Sequence, residues 1–347
     1  MDRKQGSGLP LLHRMDEHRL RRDHVPMKTR NYIRINREYL LAEERPIDFN
    51  IYTLRAQDRA PILLFGRESN QDIHEILRRR RLGELYVEKS DYQRFRRYLE
   101  DSIPSLIQDD RVPLPKKAEI IYACAKEVMQ DVFENPRSGE NISRAKGMAE
   151  QIIALALNNY EAIPSMLKPG SRDYYTFSHC VNVAVFAIGL WVMINKGDDD
   201  DLYGCAVGSI LHDVGKSEID VRILNKPGRL TDTEFEIIKT HPEKGYNLMQ
   251  GYVPEDALEI ILHHHEKADG RGYPHGLTAD QIPDCVKIAT IADVYDALTT
   301  ERPYASARSP FKALSLMKDE MVGHFEQKKF IDFINFLGGH FNSLPRC

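Results

Sequence analysis

The chain has 347 residues, 42% hydrophobic and 29% charged, with a formal net charge of -4. That length exceeds one ordinary domain and suits two, with enough apolar material for a real core. The acidic balance argues against a partner that is polymeric nucleic acid, for which a basic balance is the norm.

Five scattered cysteines with no Cys-x-x-Cys pair fit a reducing compartment, without a disulfide framework or a thiolate zinc site. No apolar h-region stands near the start. The longest apolar run, 181–194, is broken by Asn182 and reads as too short for a bilayer. The expectation is a cytoplasmic protein without membrane insertion.

Residues 1–28 are polar, lack periodicity and read as a flexible tail. Over 29–112, strands are predicted at 50–54, 61–65 and 84–87, with a helix over 71–81 stopped by Gly83. Asp91 is placed to cap a further helix that buries Phe95 and Leu99. This predicts a small α/β or α+β module, a regulatory or docking domain without a catalytic constellation. Its basic run Arg78, Arg79, Arg80 and Arg81 reads as a solvated helix face.

Pro113 and Pro115 mark a boundary, and 113–347 reads as an all-α domain. Residues 116–133 carry Ile120, Ile121, Cys124, Val128 and Val132 on one stripe. Further helices are predicted over 143–160, 176–195, 202–213, 231–240, 242–249, 255–265, 286–299 and 310–321. Thr231 and Glu234 have the spacing of a capping box.

Thirteen histidines are present, and six fall between residues 179 and 265. His179 lies in an apolar helix that excludes imidazole unless it is hydrogen-bonded or bound to metal. Taken alone, a satisfied core histidine is the commoner explanation. His212 and Asp213 end an apolar helix, with Lys216 one turn on; a carboxylate can bridge two cations and an imidazole suits a borderline metal. His241 precedes Pro242, a residue suited to a helix start.

His263, His264 and His265 end another apolar helix, followed by Glu266, Asp269, Gly270, Gly272, Tyr273 and Pro274, a loop built for tight turns. Asp293 and Asp296 stand one turn apart; a carboxylate turned into the core needs a cation. Nitrogen and oxygen donors on successive helices can converge inside a bundle, and their chemistry points to iron or manganese rather than structural zinc.

The series His212-Asp213, Lys216, His241-Pro242, His264-His265-Glu266 with Asp269-Gly270 and Gly272-Tyr273-Pro274, then Ile291-Ala292-Asp293 with Tyr295-Asp296, resembles the HD-GYP family. That family is a branch of the HD superfamily of metal-dependent phosphohydrolases, and the likeness covers roughly residues 140–340. It implies an HD-type helical bundle, two divalent cations (iron first, manganese second) and hydrolysis of a cyclic dinucleotide such as cyclic di-GMP to linear pGpG, with further cleavage to GMP open.

By the same resemblance, His179, His212, Asp213 and Asp293 would hold one cation. Asp213 would bridge to a second, completed by His241, His264 and His265. Lys216 would neutralise the scissile phosphate. Asp269, Gly272, Tyr273, Pro274 and Arg302 would line the nucleotide groove. His263 matches a variable position and stays outside the ligand set. Tyr175 stands where some members carry a glutamate tied to a third metal, so two are expected, and Ala305 replaces an often basic position.

The alternatives are a cyclic-dinucleotide receptor without turnover, a di-iron oxygenase on the HD scaffold, and a purely structural helical domain. A homodimer or a signalling partner through the N-terminal module is also open.

Overall fold

The computed structural model describes residues 31–40, 46–57, 59–67, 77, 83–167, 176–195, 201–301 and 306–339. Apart from Leu77, the predicted helix over 71–81 with its four arginines lies outside the described residues, as do Tyr175, Arg302 and Ala305. Two compact units divide the chain, Met1–Leu106 and Ile107–Cys347.

The first unit holds four short strands, β1 (Tyr32–Ile35), β2 (Ile51–Leu54), β3 (Pro61–Phe65) and β4 (Leu85–Glu88). They form one antiparallel sheet in the order β1-β4-β2-β3. Three of the strands match the predicted positions; β1 does not stand out in the sequence.

Glu88 ties the sheet across strands by accepting from the Tyr52 hydroxyl at 2.7 Å and the Tyr32 hydroxyl at 3.4 Å. Helix α1 (Tyr92–Gln108) brings Phe95 and Tyr98 edge-on to the fully buried Phe49, with ring centroids 5.7 Å apart in each pair. Asp91, predicted as its cap, turns its Oδ2 to the Asn50 amide at 3.2 Å.

The second unit is helical. Its elements are α2 (Leu114–Glu134), α3 (Gly139–Asn158), α4 (Ala162–Met166), α5 (Thr176–Asn195), α6 (Leu202–Leu211), α7 (Val221–Leu224), α8 (Asp232–Ile238), α9 (His241–Met249), α10 (Glu255–His263), α11 (Asp284–Thr299), α12 (Pro310–Asp319) and α13 (Gln327–Leu337). The predicted capping box starts α8: Glu234 N donates to Thr231 Oγ1 and Thr231 N to Glu234 Oε2. The short α4 and α7 and the terminal α13 were not anticipated.

Helix α5 corrects one expectation. At 20 residues it is long and apolar enough to cross a membrane, yet 78% of its apolar window is buried inside the protein. Neighbours α2, α3, α6, α11 and α13 pack around it. A helix apolar on every side is stable where other helices cover every side. The four described cysteines, Cys124, Cys180, Cys205 and Cys285, are buried in this unit and form no disulfide among the described residues.

Candidate metal centre

The centre is built where five chain segments end or turn against each other. His179 sits in the first turns of α5, and Asp293 lies within α11, which packs on α5. Helix α6 stops at Leu211 rather than 213, leaving His212 at its C-terminus. Asp213 then leads into a 3-10 turn, Val214–Glu218. A 3-10 turn has three residues per repeat, so Asp213 and Lys216 eclipse. The Lys216 ammonium accordingly donates to Asp213 Oδ2 at 2.5 Å.

His241 is the first residue of α9, and α10 ends at His263 with His264 as its C-cap. The turn and α9 touch backbone to backbone. A Cβ on Gly215 would lie 2.0 Å from the His241 carbonyl oxygen and 2.5 Å from the Gly245 nitrogen. Glycine at 215 is what lets His241 come within 3.3 Å of Asp213 Oδ1.

Two groups of donor atoms result, one of His179, His212 and Asp213, the other of Asp213, His241, His264 and His265; Asp213 is common to both. Asp293 joins through Oδ1, 3.0 Å from His179 Nε2, and Oδ2, 3.9 Å from His265 Nδ1. All the residues expected as ligands are thus brought together. Six donor side chains around a seventh, the shared Asp213 carboxylate, are consistent with a binuclear metal site.

Hydrogen bonds decide which nitrogens face inward. His212 Nδ1 donates to Ser209 O at 2.8 Å, His241 Nδ1 to Ile238 O at 2.7 Å, and His264 Nδ1 to the Ile260 and Ile261 carbonyls at 3.1 Å each. A carbonyl can only accept, so the protons reside on Nδ1 and each Nε2 keeps its lone pair. His241 Nε2 and His264 Nε2 then face each other at 3.1 Å. Among the described residues, His212 Nε2 and Asp213 Oδ1 are buried with no hydrogen-bond partner. Lone pairs turned on one another in a buried space are unfavourable unless a cation lies between them. The residues present fit metal ions.

The protonation states agree. Burial alone would raise the Asp213 carboxyl, but the Lys216 ammonium and His212 outweigh it and hold the group well below the usual carboxylate range. Burial likewise opposes Asp293, which the close approach of His179 brings well below that range. Burial pushes His265 down to about 3, against the upward pull of Asp293. His264 falls well below its ordinary value through burial and then repulsion from His265, and His241 falls through burial. Ionised carboxylates and neutral imidazoles are the forms that bind metal.

A pH dependence follows for metal-free protein. The depressed imidazoles bind more protons unfolded than folded, so stability falls as pH drops below about 6.5. The depressed carboxylates add their own loss below about 3.8. For His265 alone, moving from about pH 6.5 to 5 costs roughly 2 kcal/mol. Thermal melts of chelator-treated protein should show the midpoint declining between pH 7 and 5; a flat profile would contradict the buried neutral imidazoles.

Two residues named in the sequence reading, Asp296 and Glu266, have supporting roles that it did not assign. Asp296 accepts from His179 Nδ1 at 2.7 Å, Asn182 Nδ2 at 2.8 Å and Thr300 Oγ1 at 3.0 Å, while the Tyr122 hydroxyl donates to Asn182 at 2.8 Å. It orients His179 so that Nε2 points at Asp293. An Asp296→Asn variant is expected to bind metal about 10–100-fold more weakly. Competition against a calibrated chelator measures this, and unchanged affinity would reduce Asp296 to packing.

Glu266, buried, accepts from the amides of His275, Gly276 and Leu277 at 2.7, 3.0 and 3.0 Å. Its position beside the histidine run was the available signal. It shapes the loop of Gly272, Tyr273 and Pro274. Gly272 passes so close to Glu266 that a Cβ would meet the Glu266 Cα at 2.4 Å. The Tyr273 ring lies 4.7 Å from that of His265 at 30°. Asp269 is engaged within its own loop, its Oδ1 accepting from the Arg271 amide at 3.0 Å.

Residues 192–328 match the family described as the HD domain. The chain is 33% identical over 227 residues to the cyclic di-GMP phosphodiesterase PA4108 of Pseudomonas aeruginosa, covering 64% of this chain and 54% of that protein. It is 44% identical over 111 residues to the cyclic di-GMP phosphodiesterase response regulator RpfG of Xanthomonas campestris pv. campestris, covering 31% of this chain and 29% of that protein. It is 32% identical over 179 residues to the 3'3'-cGAMP-specific phosphodiesterase 3 of Vibrio cholerae, covering 50% and 39%. The matches span about half or less of these curated relatives.

Among solved structures, Bd1817, an HDG"Y"P protein from Bdellovibrio bacteriovorus, matches with a TM-score of 0.64 at 22% identity, covering 89% of this chain and all of that one, a likeness of fold. A small antiparallel sheet is followed by a helical unit that carries an HD domain over residues 192–328, and its His-Asp and Gly-Tyr-Pro segments, meeting at one centre, are similar to those of the HD-GYP family.

Proposed function

We propose that the chain is a phosphodiesterase that opens a cyclic dinucleotide, cyclic di-GMP first, to linear pGpG. The observation that carries this is the sharing of Asp213 by two groups of imidazole and carboxylate donors. Relatives named for cyclic di-GMP and for 3'3'-cGAMP support the substrate class.

His179, His212, Asp213 and Asp293 would hold one divalent cation, and Asp213, His241, His264 and His265 the other, iron before manganese. Such a pair lowers the pKa of water and polarises the phosphate for in-line displacement.

Lys216, with 22% of its side chain exposed, brings positive charge to the rim of the centre, where charge builds on the phosphate oxygens. Water adds to phosphorus, the P–O3' bond breaks, and the departing 3' oxygen takes up a proton. The Gly272-Tyr273-Pro274 loop, with the Tyr273 ring against His265, offers a flat surface for a base; Asp269 would line the groove, and by the family resemblance so would Arg302, which lies outside the described residues.

Anaerobically purified protein, analysed for iron and manganese and incubated with cyclic di-GMP, 3'3'-cGAMP and cyclic di-AMP, tests the reading by product chromatography. The expected result is pGpG from cyclic di-GMP at the highest rate. Tight binding of cyclic di-GMP to metal-loaded protein without any linear product would establish a receptor instead.

A further inference from the structure

His263 is the one member of the histidine run that turns away from the centre. It is 6% exposed, and its buried Nδ1 has no hydrogen-bond partner among the described residues. Glu259 Oε2 lies 3.6 Å from Nε2, which favours the proton on that nitrogen and leaves a lone pair on Nδ1. That lone pair faces Glu266 Oε1 at 3.8 Å. The exposed His275 closes the third side, its ring 5.2 Å from that of His263. One donor atom from each of His263, Glu266 and His275 lies within 4.8 Å of the others.

We infer that His263, Glu266 and His275 form a separate zinc-type site that clamps the end of α10 to the Gly-Tyr-Pro loop. Glu266 Oε1 already accepts two amides, but Oε2 accepts one, from Leu277, and keeps acceptor capacity for a cation. Two imidazoles and a carboxylate suit Zn2+, with water in the fourth tetrahedral position. Ligands on tetrahedral zinc stand ~3.3 Å apart, given bonds of about 2.0 Å. A rotation of the solvent-facing His275 side chain would bring its imidazole to the ion, and the 3.8 Å between His263 Nδ1 and Glu266 Oε1 would shorten by roughly 0.5 Å.

The arrangement is independent of the principal donors. It joins a helix end to a residue beyond the turn and passes through the carboxylate that organises that turn.

The test is zinc stoichiometry at buffered free Zn2+, by mass spectrometry, on the full chain, His275→Ala, Asp213→Ala and the double variant. His275 is exposed, and its replacement leaves the principal centre intact. Wild type is expected to hold about one equivalent more than His275→Ala. The same difference should persist in the Asp213→Ala background, so a failure of the hydrolase reading leaves this measurement unaffected.

Zinc should also slow hydrogen exchange at the His275, Gly276 and Leu277 amides by at least ~10-fold in Asp213→Ala but not in the double variant. Equal zinc content with and without His275, or exchange indifferent to zinc, overturns the site.

Discussion

Asp213→Ala is expected to lower turnover of the cyclic dinucleotide by about 10^4-fold, or ~5.5 kcal/mol of transition-state stabilisation. The size follows from position. Each expected histidine ligand belongs to one donor group and Asp293 adjoins them, whereas Asp213 belongs to both. Its loss separates the His179–His212 side from the His241–His264–His265 side and removes the acceptor of the Lys216 ammonium. Two effects therefore fail together, activation of water and charge at the phosphate.

The variant should retain its helical circular dichroism, because the replaced group contributes no apolar packing. Metal analysis should show depleted metal alongside the lost activity. A fully active Asp213→Ala enzyme, or an active His212→Ala companion, would remove the centre from the chemistry.

The largest stability effect is expected at a residue with no donor atom on its side chain. Gly215→Ala sets a methyl group 2.0 Å from the His241 carbonyl oxygen and 2.5 Å from the Gly245 nitrogen. Both are backbone atoms, so no rotamer change relieves the overlap. Overpacking against side chains typically costs 1–3 kcal/mol; with backbone on the far side, at least ~3 kcal/mol is expected.

For a unit of this size that corresponds to a fall in the melting midpoint of roughly 6–12 °C. Metal affinity should fall as well, since parting the turn from α9 moves His241 away from Asp213. Calorimetry with and without chelator separates the two losses. An unchanged midpoint would mean that the turn and α9 can part freely.

What could be read from the residues and what could not divides along physical lines. The donor residues were legible because imidazole and carboxylate in apolar helices are conspicuous, and their order resembles a known family. Helix α5 was legible for the same reason, and its bounds agree with the prediction. Its environment was not legible: a helix apolar all round reads alike whether lipid or protein covers it. The role of Asp296 was hidden because one turn separates it from Asp293, and spacing cannot say which carboxylate meets which nitrogen of His179. Strand β1 escaped because four residues that include an exposed Arg34 give too little alternation. Helices α4 and α7 are too short for any period to appear.

The donors come from segments that are distant along the chain and meet only when α5, the Asp213 turn, α9, the end of α10 and α11 are all in place. An unfolded polypeptide therefore has no comparable chelating geometry, and ion occupancy becomes thermodynamically inseparable from the native state. Each tenfold rise in free cation above the dissociation constant would add ~1.4 kcal/mol to the unfolding free energy. Metal supply and resistance to denaturation would then be two readings of one equilibrium, so scarcity of the ion would weaken the scaffold as well as silence the reaction.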